Sequence, residues 1–179
     1  MNILNLYYSS TGNTEKVALK IGETLQQLGH EVATVKITGK DMELDILQYD
    51  FIFIGSGVYR QLPGKALVEL VDELYQKYRK LGEIKPAAPR RPSKKVVVYG
   101  TYGGVHTGIN EAVPAVKYMG QLFDHLGYTV VDEWYIVGEF IPEALREHSV
   151  SGRLGDIRGR PNDMDLREVA EKVKGILRI

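Results

Sequence analysis

The chain has 179 residues, no cysteine, and 23 basic residues balanced by 23 acidic ones, for a formal net charge of zero. This excludes disulfides, thiolate zinc sites, iron–sulfur clusters and cysteine nucleophiles, so any redox chemistry must ride on a bound organic cofactor. The neutral balance argues against a general electrostatic claim on nucleic acid or anionic lipid, and no run reaches the ~18 apolar residues of a membrane span. The length is one domain's worth of sequence, enough for a single core. Met1 leads straight into a strand-like run without a basic n-region, so no secretory signal is expected, and the cysteine count fits a cytoplasmic protein.

In chain order, Asn2 to Tyr8 (NILNLYY) is rich in strand formers. A helix is predicted from Asn13 to Leu28, where Val17, Ile21, Leu25 and Leu28 recur on one face. Glu31 to Ile37 reads as a second strand. Tyr49 to Ile54, ending at Gly55, reads as a third, nearly all apolar as a strand covered on both faces should be. A helix over Pro63 to Leu81, a strand over Val96 to Tyr99, a helix over Ile109 to Leu126, a strand over Thr129 to Val137 and a helix over Asp165 to Leu177 follow. This alternation predicts an α/β fold with right-handed crossovers, a doubly wound five-stranded parallel sheet in the order 2-1-3-4-5. Gly82 to Lys95 carries Pro86, Pro89 and Pro92 and reads as a solvated connector. Residues 138–161 are rich in Gly and Arg, with a short helix-like piece around Glu143 to His148, and a loop that long usually has a task. No repeat or second domain is visible, so residues 1–179 read as one domain with an extra segment at about 138–161.

Ser9-Ser10-Thr11-Gly12-Asn13-Thr14 follows the first strand directly and opens the first helix. A helix N-terminus presents unpaired N–H groups and about half a positive charge, which makes a tight turn there an anion site. The hydroxyls of Ser9, Thr11 and Thr14 add donors, and Gly12 lets the backbone approach an anion closely. The loop contains no lysine or arginine, which separates it from a Walker A loop; it would neutralise phosphate with dipoles. The alternative is a hydroxyl-rich helix cap that binds nothing.

Ser9 to Thr14 resembles the phosphate loop of the flavodoxin family, Thr/Ser-x-Thr-Gly-x-Thr after the first strand, and matches it at every defined position. The resemblance extends in element order over the whole chain. It implies one non-covalently bound FMN, with Ser9, Ser10, Thr11, Gly12, Asn13 and Thr14 forming the loop around its 5′-phosphate. It places the isoalloxazine ring between the loops after the third and fourth strands. The first supplies Ser56, Gly57, Val58, Tyr59 and Arg60; the second supplies Thr101, Tyr102, Gly103, Gly104 and His106. Both lie at strand carboxyl ends beside the expected switch point. By resemblance Tyr59 and Tyr102 are the ring-flanking aromatics, although either could simply pack at a strand end. His106 either donates a proton during reduction or sits idle in its loop.

Two features depart from the family. Electron-carrier flavodoxins are typically strongly acidic, whereas this chain is neutral, and Arg60 would place a cation beside the ring that favours the reduced anion. The segment 138–161, with Arg146, Arg153, Arg158 and Arg160, could cover the flavin edge, contact a partner or close a subunit interface. The resemblance implies an electron-transfer flavoprotein serving redox partner proteins. An NAD(P)H-dependent FMN reductase of quinones or small molecules is the alternative oxidoreductase, and a flavin-free interaction domain the third. The four histidines are scattered without HExxH spacing, so no metal site is expected, and no Gly-x-Ser-x-Gly elbow offers a hydrolase nucleophile.

Overall fold

A computed structural model describes residues 1–39 and 42–178. Its parallel sheet is built from β1 (Ile3–Tyr8), β2 (Val32–Lys36), β3 (Phe51–Tyr59), β5 (Lys95–Tyr102) and β6 (Thr129–Val137), in the order β2-β1-β3-β5-β6. That is the predicted 2-1-3-4-5 arrangement, with one addition. β4 (Leu62–Pro63) folds back antiparallel on the end of β3, pairing Tyr59 with Leu62 and Val58 with Pro63.

Alternation along the strands sorts the core into two layers. Ile52, Ile54, Val96 and Val98 pack with Leu67, Leu70 and Leu74 of α2 (Lys65–Lys80) and Met119 and Phe123 of α3 (Val113–Leu126). Phe51, Phe53, Val97, Tyr99 and Trp134 pack on the other face with Val17, Ile21 and Leu25 of α1 (Asn13–Gln27) and Val169 and Val173 of α5 (Asp163–Ile176). Both faces are covered, which is why β1, β3 and β5 read as near-continuous apolar runs. A four-residue helix, α4 (His148–Ser151), breaks the stretch between β6 and α5. No helix among the described residues is long and apolar enough to cross a membrane.

Several boundaries differ from the sequence reading. β3 runs on to Tyr59 because Gly55, Ser56 and Gly57 stay in register with Tyr99, Gly100 and Thr101 of β5. α5 begins two residues early because Asn162 accepts from the N–H groups of Met164 and Asp165, while Asp165 accepts from the Asn162 N–H in return. This capping box starts the helix where the residue pattern alone does not.

Gly55 of β3 lies beneath the Tyr99 ring of β5. A Cβ there would lie 2.0 Å from Cε2 of Tyr99, whose ring is fully buried and whose hydroxyl donates to Asn5 Oδ1 at 3.2 Å. The ring cannot retreat without breaking that bond. Gly55→Ala should therefore lower stability by about 1–3 kcal/mol, as overpacked cores do, seen as a lower urea midpoint. An unchanged midpoint would show that Tyr99 is freer than this packing implies.

Candidate functional site

The carboxyl ends of β1, β3, β5 and β6 converge on one edge of the sheet and enclose a cavity of about 550 Å³. A larger and more open trough of about 950 Å³ runs between residues 42–48 and α2. None of the site residues expected from the sequence lies in it.

The floor of the cavity is the turn from β1 into α1. Gly12 sits at φ +97°, with open space where a Cβ would be, and its N–H donates to Ser9 Oγ at 3.1 Å. That bond uses one acceptor position of the Ser9 hydroxyl to shape the turn. Helix α1 then starts with no side-chain cap; the first intrahelical bond of the turn is Lys16 N–H to Gly12 O, at 3.0 Å, so the amides ahead of it lack a helical acceptor. Thr14 Oγ1 and Thr101 Oγ1 share a buried hydrogen bond of 2.7 Å, which fastens α1 to the end of β5. Thr11 remains exposed. Asn13 is 8% exposed; its Nδ2 donates to Glu139 O at 2.8 Å, while its Oδ1 is buried with no partner. A buried acceptor left unpaired costs about 1–3 kcal/mol, so this atom calls for a donor.

One wall is the β3–β4 hairpin. Its two connecting residues, Arg60 and Gln61, have φ of 50° and 64°, the left-handed pair that a two-residue turn demands and that Asn-Gly usually supplies. Tyr59 is 39% exposed. Its hydroxyl meets Ser10 Oγ at 2.5 Å and its ring stands edge-on to Tyr8 at 6.1 Å. The opposite wall is the loop after β5. Gly104 has φ +56° and would press a Cβ to 2.9 Å from the Gly108 backbone, so glycine is required. Glu111 Oε1 accepts from the His106 and Thr107 N–H groups at 2.6 and 2.7 Å, which turns those amides toward the carboxylate.

A third wall comes from residues 138–161. Glu139 N–H donates to Arg160 O at 2.9 Å, Arg153 N–H to Val105 O at 2.9 Å and Ile157 N–H to Ser149 O at 2.8 Å. Phe140 N–H donates to Ser149 Oγ at 2.8 Å, and Ser149 is 1% exposed. At the base, the Arg160 guanidinium grips the Asp165 carboxylate. Burial opposes the Asp165 charge, but the bonds from Arg160 and from the Asn162 N–H outweigh it and hold the carboxyl below its ordinary range.

Of the residues expected at the site, Thr11, Asn13, Thr14, Gly57, Val58, Tyr59, Arg60, Thr101, Tyr102, Gly103, Gly104 and His106 all line this cavity. Ser9, Ser10 and Gly12 shape the loop without lining it. Ser56 stands apart: it is fully buried, and its Oγ donates to Gly57 O at 2.8 Å and accepts from Gly64 N–H at 2.9 Å. It fastens the hairpin. Tyr102 is only 8% exposed, with its hydroxyl pKa raised by burial against an opposing pull from Arg160. The sequence reading missed Glu111, Phe140 and His148, which also line the cavity. The only signal for the last two was that their segment is too long for a plain connector. Among the described residues no cluster of His, Asp and Glu is placed to hold a metal ion.

Residues 4–84 match the family model of the Flavodoxin domain. A flavodoxin of Megasphaera elsdenii is 29% identical over 98 residues, which span 55% of this chain and 63% of that protein, a little under two thirds of its length. The oxidised flavodoxin 1 of Bacillus cereus superposes with a TM-score of 0.70 at 16% identity, covering 99% of this chain and 98% of the other. A flavoprotein from Lactobacillus acidophilus, solved in complex with FMN, covers 75% of this chain and 92% of its own, with a TM-score of 0.51 at 18% identity. At such identities the structural likenesses establish the fold.

The Arg160–Asp165 pair makes the third wall's anchorage pH-dependent. With the Asp165 pKa lower in the folded chain than in the unfolded one, the pair stabilises above the ordinary carboxylate value of about 4 and loses that contribution as pH falls through the folded value. Asp165→Asn should cost about 1–2 kcal/mol at pH 7, toward the low end for a charged hydrogen bond because Arg160 is partly exposed. In urea unfolding the gap from the parent should close toward pH 3. An equal gap at both pH values would mean that the charge of Asp165 contributes nothing.

Proposed function

We propose that this chain is a flavodoxin-family protein that binds one FMN non-covalently at the strand carboxyl ends and passes electrons between protein partners. The observation that carries this reading is the pairing of needs at the start of α1. Uncapped first-turn amides and the exposed Thr11 hydroxyl are donors for an anion, in a loop without lysine or arginine. Next to them the buried Asn13 Oδ1 is an acceptor without a donor. A phosphate beside a ribityl chain meets both needs, since the first accepts and the second donates. The residues present therefore fit FMN.

Bound there, FMN supplies reversible uptake of one or two electrons. The chain's own part is to hold and orient it. Thr11 and the amides of Asn13 and Thr14 take the phosphate by dipoles, and the Thr14–Thr101 bond keeps those amides fixed against β5. The ring lies between the β3–β4 hairpin and the loop after β5, in the cavity that Gly57, Tyr59, Gly103 and Gly104 line. Arg60, exposed at the rim, places a positive charge there that favours negative charge on the cofactor and is screened by salt.

A second reading is an NAD(P)H-dependent reductase of quinones or small molecules. It is favoured by the net charge of zero and by Ile141 and Leu145, which line the cavity yet are 37% and 40% exposed and give a planar substrate an apolar edge. In either case we assign the chain to the oxidoreductases of the cytoplasm. NADPH oxidation with and without benzoquinone separates the two.

The phosphate claim has its own test. FMN should bind far more tightly than riboflavin, which lacks the phosphate. Thr11→Ala should weaken FMN by about 1–3 kcal/mol, the worth of a hydrogen bond to a charged group, and leave riboflavin unchanged. Fluorescence titrations measure both. Equal affinities for the two flavins would reduce residues 9–14 to a helix cap.

A further inference from the structure

Phe140 brings a phenyl ring to the cavity from the third wall. It lies against Gly103 so closely that a Cβ on that glycine would sit 2.1 Å from Phe140 Cε2 and 2.4 Å from Cζ. The absence of a side chain at 103 is thus what admits the ring. Its backbone is held from three sides. Asn13 Nδ2 donates to the Glu139 carbonyl at 2.8 Å, Glu139 N–H donates to Arg160 O at 2.9 Å, and Phe140 N–H donates to Ser149 Oγ at 2.8 Å. His148 braces the ring edge-on at 5.6 Å, with 75° between the planes. Despite these supports the residue is only part-buried, and it lines the cavity. A large apolar ring fixed by its neighbours but left partly open on the cavity side is built to receive a flat ligand. Tyr102, by contrast, is 8% exposed.

We propose that Phe140, delivered by residues 138–161 and seated in the gap left by Gly103, supplies the aromatic contact on one side of the bound isoalloxazine ring, in the role that the family resemblance gave to Tyr102. This rests on the FMN reading. Residues 138–161 then complete the cofactor site, and Asn13 joins the two ends of the ligand by touching the phosphate turn with its backbone and the third wall with its side-chain amide.

The test is Phe140→Leu, which keeps an apolar side chain but removes the π face, with Phe140→Tyr as the conservative control. Circular dichroism and melting of the flavin-free proteins check that both variants fold. A ring contact does not involve the phosphate, so Phe140→Leu should raise the dissociation constants of FMN and riboflavin together, by about tenfold or more, the order seen when a stacking aromatic is removed. It should also restore part of the fluorescence that bound flavin loses, while Phe140→Tyr stays near the parent. If the parent binds FMN and Phe140→Leu matches it in affinity and fluorescence, Phe140 is packing only and this inference falls while the FMN reading stands. If the parent binds no FMN, both fall.

Discussion

The buried 2.7 Å hydrogen bond between Thr14 Oγ1 and Thr101 Oγ1 is the contact on which the candidate site turns. Thr14 stands in the first turn of α1 and Thr101 near the end of β5, 87 residues later. A parallel sheet with crossover helices brings all strand carboxyl ends to one edge, but that alone leaves the helix start free to shift relative to the strands. With Thr14 tied to β5, the amides at the start of α1 keep a fixed position against the loop of residues 103–108. The two hydroxyls also satisfy each other where water is excluded, so neither adds a buried unpaired group. The proposed anion site at one end and ring site at the other can then have constant spacing.

Around that fixed point the walls are held in different ways. The β3–β4 hairpin is fastened by Ser56, whose hydroxyl serves both Gly57 O and Gly64 N–H, and it tolerates two left-handed non-glycine residues at its tip. Such residues cost about 1–2 kcal/mol each relative to ordinary backbone, so the short ladder and the Ser56 bonds must over-determine the turn. The loop after β5 is wound around the Glu111 carboxylate. The third wall depends on Ser149 and on the ion pair between Arg160 and Asp165, which also completes the capping box of α5. Stability of the last helix and shape of the cavity are thereby coupled through one carboxylate.

The layered α/β fold was legible from the residues because its strands are buried on both faces and its helices carry regular apolar stripes. The turn from β1 into α1 was legible because hydroxyls, a glycine and a strand–helix junction coincide within six residues. What escaped has physical causes. Gly55-Ser56-Gly57 looks like a loop by composition, yet it continues the β3 ladder because close approach of the Tyr99 ring requires glycine there. Ser56 shares the composition of a binding loop, but strand alternation turns its side chain inward. The left-handed turn at Arg60-Gln61 has no glycine or asparagine to announce it. Phe140 was invisible because residues 138–161 have no periodicity, and their long-range bonds to Val105 and Asn13 leave no trace in local pattern. Of the two tyrosines that the resemblance set beside the ring, Tyr59 is 39% exposed and Tyr102 8%.

The central claim is that one ligand spans from the start of α1 to the loops after β3 and β5. The most direct measurement is a two-dimensional amide NMR titration of the protein with FMN. The account predicts saturation at one equivalent, with the largest changes at the amides of Thr11 to Thr14, Gly57 to Arg60, Gly103 to Gly104 and Glu139 to Phe140. No shifts, or shifts centred on the trough between residues 42–48 and α2, would contradict it.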